Sequence, residues 1–214
     1  MKTQTKKITL TAMFCALAYA VVAIVRIPVV LFLNYDPKDI VITLGGLIIS
    51  PATAIIVSVI SSIIEMLTVS GTGIIGCIMN IVSSCSFACP AAFIYKKKRT
   101  QHGAALALAA GCLTMTGVML LWNYCITPIY MGYPRDTVAA MLMPVFLPFN
   151  LMKGCLNAAL TFLLHKPVIN SLQHARLLPS NATPESQRNT TLLCISLAII
   201  ITCILLILSI NGII

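Results

Sequence analysis

Leu147-Pro-Phe-Asn-Leu-Met-Lys-Gly-Cys-Leu-Asn-Ala-Ala-Leu160 sets one lysine and two asparagines inside an otherwise apolar run. How Lys153 is read depends on the solvent around it, and the whole chain answers that. Of its 214 residues, 59% are hydrophobic and 9% charged, with a mean hydropathy of +0.99, far above that of a soluble domain. A helix that spans a bilayer needs about 20 mostly apolar residues, and several runs here qualify, so the stretch is read as part of a transmembrane helix. A lysine near the centre of such a helix costs about 2.5–3.5 kcal/mol on insertion. It either snorkels to the surface or faces the bundle interior. Asn150, three residues earlier, shares its helix face, and Gly154 permits close approach, so the segment reads as a polar patch turned inward.

Working outward, the apolar runs predict seven spans. The first covers about 8–24 and stops at Arg26-Ile-Pro28; a short polar loop over Asn34–Asp39 leads to a short second span over about 40–50. Pro51 begins the third, which ends near Val69. After Gly71-Thr-Gly73 the fourth continues to Lys96. The fifth runs over about 104–126, ended by Thr127–Pro134, and an outer loop with Arg135 and Asp136 precedes the sixth at about 145–164. A polar linker at 172–191 separates this core, residues 1–171, from a last uninterrupted apolar run within 192–214. That run is charge-free and reads as an anchor or lipid-facing helix.

The net charge of +9 does not point to nucleic acid, because the basic residues cluster at span ends rather than on one face with aromatics. Lys2, Lys6 and Lys7, then Lys96–Arg99, then Lys166, Arg176 and Arg188 all fall on one side, which positive-inside asymmetry makes cytoplasmic. The N-terminus is therefore expected inside and the C-terminus outside. No cleavable signal peptide is expected at the first run. The sequons at Asn181 and Asn189 fall in an inside loop, where glycosylation is not expected. The nine cysteines lie mostly in apolar runs and read as small hydrophobes, including Cys85-x-x-x-Cys89.

Enzyme motifs find no support. P-loop, G-x-S-x-G and H-E-x-x-H patterns are missing, and His102, His165 and His174 lie at or beyond span ends. Gly71-Thr-Gly-Ile-Ile-Gly76 spells a dinucleotide fingerprint, but apolar helices rather than a strand and helix flank it. It reads as an interhelical turn, or as a helix start whose bare backbone could approach a polar ligand. Ala12, Ala16 and Ala20 line one face of the first span, for close approach either within the chain or by a partner subunit. Glu65, Thr72, Asn80, Asn123, Asn150, Lys153 and Asn157 complete a set of polar groups in or near the outer half of the membrane.

Several segments in order carry a resemblance: Tyr35-Asp-Pro-Lys-Asp-Ile40 with Leu44-Gly-Gly46; Gly71-Thr-Gly-Ile-Ile-Gly-Cys-Ile-Met-Asn80; Leu121-Trp-Asn-Tyr-Cys-Ile-Thr-Pro-Ile-Tyr130; and Leu147-Pro-Phe-Asn-Leu-Met-Lys-Gly154. Over roughly residues 5–170 the chain resembles the riboflavin-specific S components, the substrate-binding subunits of energy-coupling-factor (ECF) vitamin transporters. The resemblance implies an all-α integral membrane protein, a six-helix bundle to which this chain adds one C-terminal span. It implies flavin contacts from Asn150 and Lys153, a hydrogen bond from Asn123, and a closing loop around residues 33–36 with Leu33, Tyr35 and Asp36 as contacts. Thr72, Gly73 and Asn80 would contribute from the fourth span. Leu33, Met79 and Phe149 are candidates for apolar walls around a flat ring. The alanine face would meet the transmembrane coupling subunit, itself driven by two ATPase subunits in a prokaryotic plasma membrane. Riboflavin is then ligand rather than cofactor, with acceptance of flavin mononucleotide left open. The same scaffold for thiamine, biotin or pantothenate is the nearer alternative, and an intramembrane enzyme using Glu65 and Lys153 the more distant one.

Overall fold

Apolar runs become helices in lipid because every main-chain polar group must be satisfied within the segment. In the computed structural model, which describes residues 2–30, 33–178 and 190–210, six helical runs are long and apolar enough to cross a bilayer. The order is α1 (Lys2–Ile24), β1 (Ile27–Val30), β2 (Leu33–Tyr35), α2 (Lys38–Ile48), α3 (Pro51–Thr68), α4 (Gly73–Lys97), α5 (Gln101–Met131), α6 (Arg135–Met141), a π turn (Leu142–Phe146), α7 (Leu147–His174) and α8 (Thr190–Ile210). Sequons Asn181 and Asn189, Arg188 and most of the expected linker lie outside the described residues.

The central element is a short helix that cannot span the bilayer alone. At 11 residues α2 is about 16 Å long, half of a hydrocarbon core. It packs against α1, α3, α4 and α7, and every residue from Lys38 to Leu47 is buried. Its first turn lies level with Glu65 on α3 and Asn80 on α4. Asn80 is seven residues, about 10 Å, in from the start of α4. The missing half-span is taken by the antiparallel β1–β2 hairpin, whose register pairs Ile27 with Tyr35 and Pro28 with Asn34. Ser50 caps α3 by accepting a bond from Thr53 N, with Pro51 in the first turn.

Several expectations are corrected here. Asn34–Asp39 is not a solvated outer loop: it contains β2 and the first turn of α2, with Asp36, Lys38 and Asp39 buried. α5 does not stop at Thr127 but runs through Pro128 to Met131, ending at Gly132 with φ 67°. Arg135 and Asp136 begin α6 instead of forming a loop, and the sixth span is one helical run from Arg135 to His174. The linker is shorter at both ends, since Leu172–His174 belong to α7 and Thr190 and Thr191 to α8. His165 is a buried residue within α7, its ring edge-on to Tyr95 at 5.0 Å.

The run from α6 to α7 carries prolines four apart, Pro144 and Pro148. Each lacks the N–H that the carbonyl one turn earlier would accept, and the wider π turn absorbs the mismatch immediately before Phe149. On α1, Phe14, Cys15, Ala18 and Val22 face the bundle while Ala12, Ala16 and Ala20 are exposed, so the alanine face is not used for packing within this chain.

The bundle closes through small residues. A Cβ on Gly46 would stand 3.0 Å from Ala54 Cβ, and one on Gly111 would stand 2.5 Å from the Phe87 carbonyl oxygen, so α4 and α5 touch through bare backbone. Gly111→Val should therefore lower thermal stability in detergent by about 1–3 kcal/mol of overpacking. Gly117→Ala, on the same helix with open space around its added carbon, should leave the melting curve unchanged.

Candidate functional site

The short α2 brings its charged first turn into the bundle, and the surrounding helices answer it. Lys38 and Glu65 form a wholly buried ion pair between α2 and α3. Glu65 also accepts from Arg26 Nη2 at 3.3 Å and from Asn80 Nδ2 at 3.2 Å. Arg26 continues the chain of contacts, with Nη1 donating to the Val69 carbonyl at 3.2 Å and Nε lying 3.6 Å from Asp36 Oδ1. The hairpin is thereby tied to the end of α3.

A second group gathers on Asp39. Lys153 Nζ lies 3.1 Å from Asp39 Oδ2, Asn157 Nδ2 donates to the same oxygen at 3.3 Å, and the Ser84 hydroxyl donates to Oδ1. Tyr35 completes it by donating its hydroxyl to Asn157 Oδ1 at 3.1 Å. Strand β2 and helices α2, α4 and α7 thus meet in one hydrogen-bonded cluster. Across both groups stand three carboxylates, Asp36, Asp39 and Glu65, and three cations, Arg26, Lys38 and Lys153. The acids are three of the five in the chain. The charges balance, which is the condition for burying them.

Above this floor lies a narrow cleft lined by Arg26, Leu33, Asn34, Asp36, Thr72, Met79, Asn80, Ser83, Met119, Phe149, Asn150 and Lys153. Six of the nine expected ligand contacts line it: Leu33, Asp36, Thr72, Asn80, Asn150 and Lys153. The three apolar wall candidates, Leu33, Met79 and Phe149, line it too. At the rim Arg26 Nε and Asp36 Oδ1 are buried and face each other as an ion pair without a hydrogen bond.

Three expected contacts sit apart from the lining. Tyr35 points to Asn157 beneath the cleft. Gly73, with φ 62°, makes the turn into α4 and is exposed. Asn123 is wholly buried and occupied within α5, its amide donating to the Met119 carbonyl at 2.8 Å and its oxygen accepting from Thr127 at 2.9 Å. The G-x-G-x-x-G stretch lies between two helices and acts as a helix start. A Cβ on Gly76 would fall 1.8 Å from Thr72 Oγ1, so this glycine makes room for the Thr72 side chain at the cleft.

The residues missed from the sequence are Arg26, Ser83 and Met119 in the lining, and Asp39 and Ser84 below it. A net-neutral buried cluster makes its own prediction. Glu65→Gln leaves Lys38 opposite a neutral amide and should destabilise the protein by about 3–5 kcal/mol in thermal unfolding, whereas Lys38→Met combined with Glu65→Met should recover most of that loss.

Comparison with known proteins agrees with this architecture. Residues 6–165 match the family model of the ECF transporter substrate-specific component. The chain is 29% identical over 158 residues to the riboflavin transporter FmnP of Bacillus subtilis (strain 168), covering 68% of this chain and 83% of that one. It is 25% identical over 179 residues to the riboflavin transporter RibU of Staphylococcus aureus (strain TCH60), covering 79% and 94%. Its fold is similar to a solved S component of a bacterial ECF transporter, with a TM-score of 0.69 and 25% identity over 79% of this chain and 99% of that one. With its multi-pass helical bundle and this match over most of its length, the chain belongs to the substrate-specific component family of ECF transporters.

Proposed function

We propose that this S component binds riboflavin in the cleft beneath the hairpin and delivers it across the membrane together with a transmembrane coupling subunit and two ATPase subunits. The observation that carries the reading is the cleft's composition. It combines apolar side chains suited to a flat ring, Leu33, Met79, Met119 and Phe149, with amide and ammonium groups suited to a ring edge rich in donors and acceptors, Asn80, Asn150 and Lys153. The relatives named as riboflavin transporters support the same ligand.

Lys153 does not act alone in this scheme. Asp39 holds its ammonium from below, leaving its other N–H groups for ligand carbonyl or hydroxyl oxygens. Asn150 donates its amide to the Phe146 carbonyl at 2.8 Å, which fixes the side chain at the start of α7. Preorganised polar groups of this kind lower the ordering cost of binding. The protein's part is capture and release, with no bond made or broken in the ligand. The exposed face of Ala12, Ala16 and Ala20 supports docking of the coupling subunit. The basic clusters support a cytoplasmic N-terminus and an outward C-terminus.

Titration of the purified protein with riboflavin should quench flavin fluorescence stoichiometrically. No quenching, with thiamine, biotin or pantothenate bound instead, would overturn the ligand assignment. Lys153→Ala and Asn150→Ala should each weaken binding about tenfold, or about 1.4 kcal/mol, and Asp39→Asn should do so through Lys153. Ala16→Trp should leave the titration unchanged but abolish riboflavin uptake in cells that carry the complete transporter.

A further inference from the structure

Helix α8 lies outside the family match, which ends at residue 165. Most of it faces outward, with Ile201, Ile204, Leu205 and Leu206 exposed, but Ser196, Cys203 and Ile207 are buried along one face at spacings of seven and four. Cys203 and Ile207 belong to one apolar cluster with Val29, Leu33 and Tyr35 of the hairpin and with Phe149 and Met152 of α7. The Cys203 thiol also donates to the Met152 carbonyl at 3.9 Å, one residue before Lys153. Leu33 and Phe149 line the cleft as well, so this cluster backs the ligand-facing wall.

A hairpin with strands of four and three residues is marginal by itself. Polar ties secure it on one side, from Arg26 to Glu65 and from Tyr35 to Asn157. The apolar cluster with α8 secures it on another. We propose that α8 is a brace for the hairpin, and that Cys203 and Ile207 are positioning residues that keep the cleft closed and slow ligand release. In lipid, an apolar side chain freed from α8 exchanges one apolar neighbour for another, so the brace acts through packing complementarity rather than through removal from water. Its effect on release is therefore several-fold rather than several orders of magnitude.

The functional consequence rests on the riboflavin reading, whereas the brace itself can be measured without ligand. In the full chain in lipid nanodiscs, Ile207→Ala should raise amide hydrogen exchange across β1 and β2 at least threefold, with α3 and α4 unchanged. Exchange equal to wild type would overturn the brace. Stopped-flow release of riboflavin should accelerate three- to tenfold in Ile207→Ala, with the association rate within twofold of wild type. The exposed control Leu205→Ala should release at the wild-type rate; equal acceleration in both variants would overturn the positioning role. If Ile207→Ala unfolds, Ile207→Val and Cys203→Ala are read by the same two measurements and the same criteria. A wild-type chain that binds no riboflavin defeats the proposed function, and hydrogen exchange still decides the brace.

Discussion

The contact between Lys153 and Asp39 organises the rest of the structure. Neither charge could lie in the bundle without the other, because an unpaired ammonium or carboxylate out of water costs far more than the remaining packing could offset. Their pairing brings α7 to the first turn of α2, and the other Asp39 partners, Ser84 and Asn157, draw in α4 and a second turn of α7. Glu65 plays the same part for Lys38, Arg26 and Asn80. The site is a charge-balanced plug with an apolar-walled cleft above it, and the arrangement of the charges fixes the positions of the walls.

The short α2 and the hairpin are two aspects of one solution. Because α2 begins partway into the bundle, the chain must descend to it by some route other than a full helix. Non-helical backbone at that depth is acceptable only where its polar groups are paired and shielded. The hairpin meets both conditions by pairing its strands and packing against α7 and α8. Descent of the chain places Leu33, Asn34 and Asp36 at the cleft, so the segment that shortens α2 also supplies part of the cleft's lining.

Much of this was legible in the sequence, for identifiable reasons. Apolar runs of membrane-spanning length gave the helices their approximate places, and an asparagine and lysine three apart marked the inward face of α7. Asp36–Asp39 was misread because dense charge usually means solvent, and the neutralising partners of Lys38 and Asp39, Glu65 and Lys153, lie 27 and 114 residues away, beyond any local spacing rule. Asn123, expected as a ligand contact, bonds to its own helix backbone and to the residue one turn later, a local arrangement that residue type and spacing do not reveal. Thr127–Pro134 looked like a helix end because Pro128 is a strong stop signal in water. In lipid the helix continues, since frayed backbone would have nothing to bond.

The π turn at Leu142–Phe146 has a consequence for how this site can change. One residue more or fewer in an α-helix turns everything beyond it by about 100°, so a length change there would swing Phe149, Asn150 and Lys153 together off the cleft. A widened turn already accommodates a surplus residue at that point. The outward half of the run can thus keep its own rotational phase while the inward half keeps the phase that places Phe149, Asn150 and Lys153 at the cleft. The turn acts as a phase adjuster between the two halves of the run.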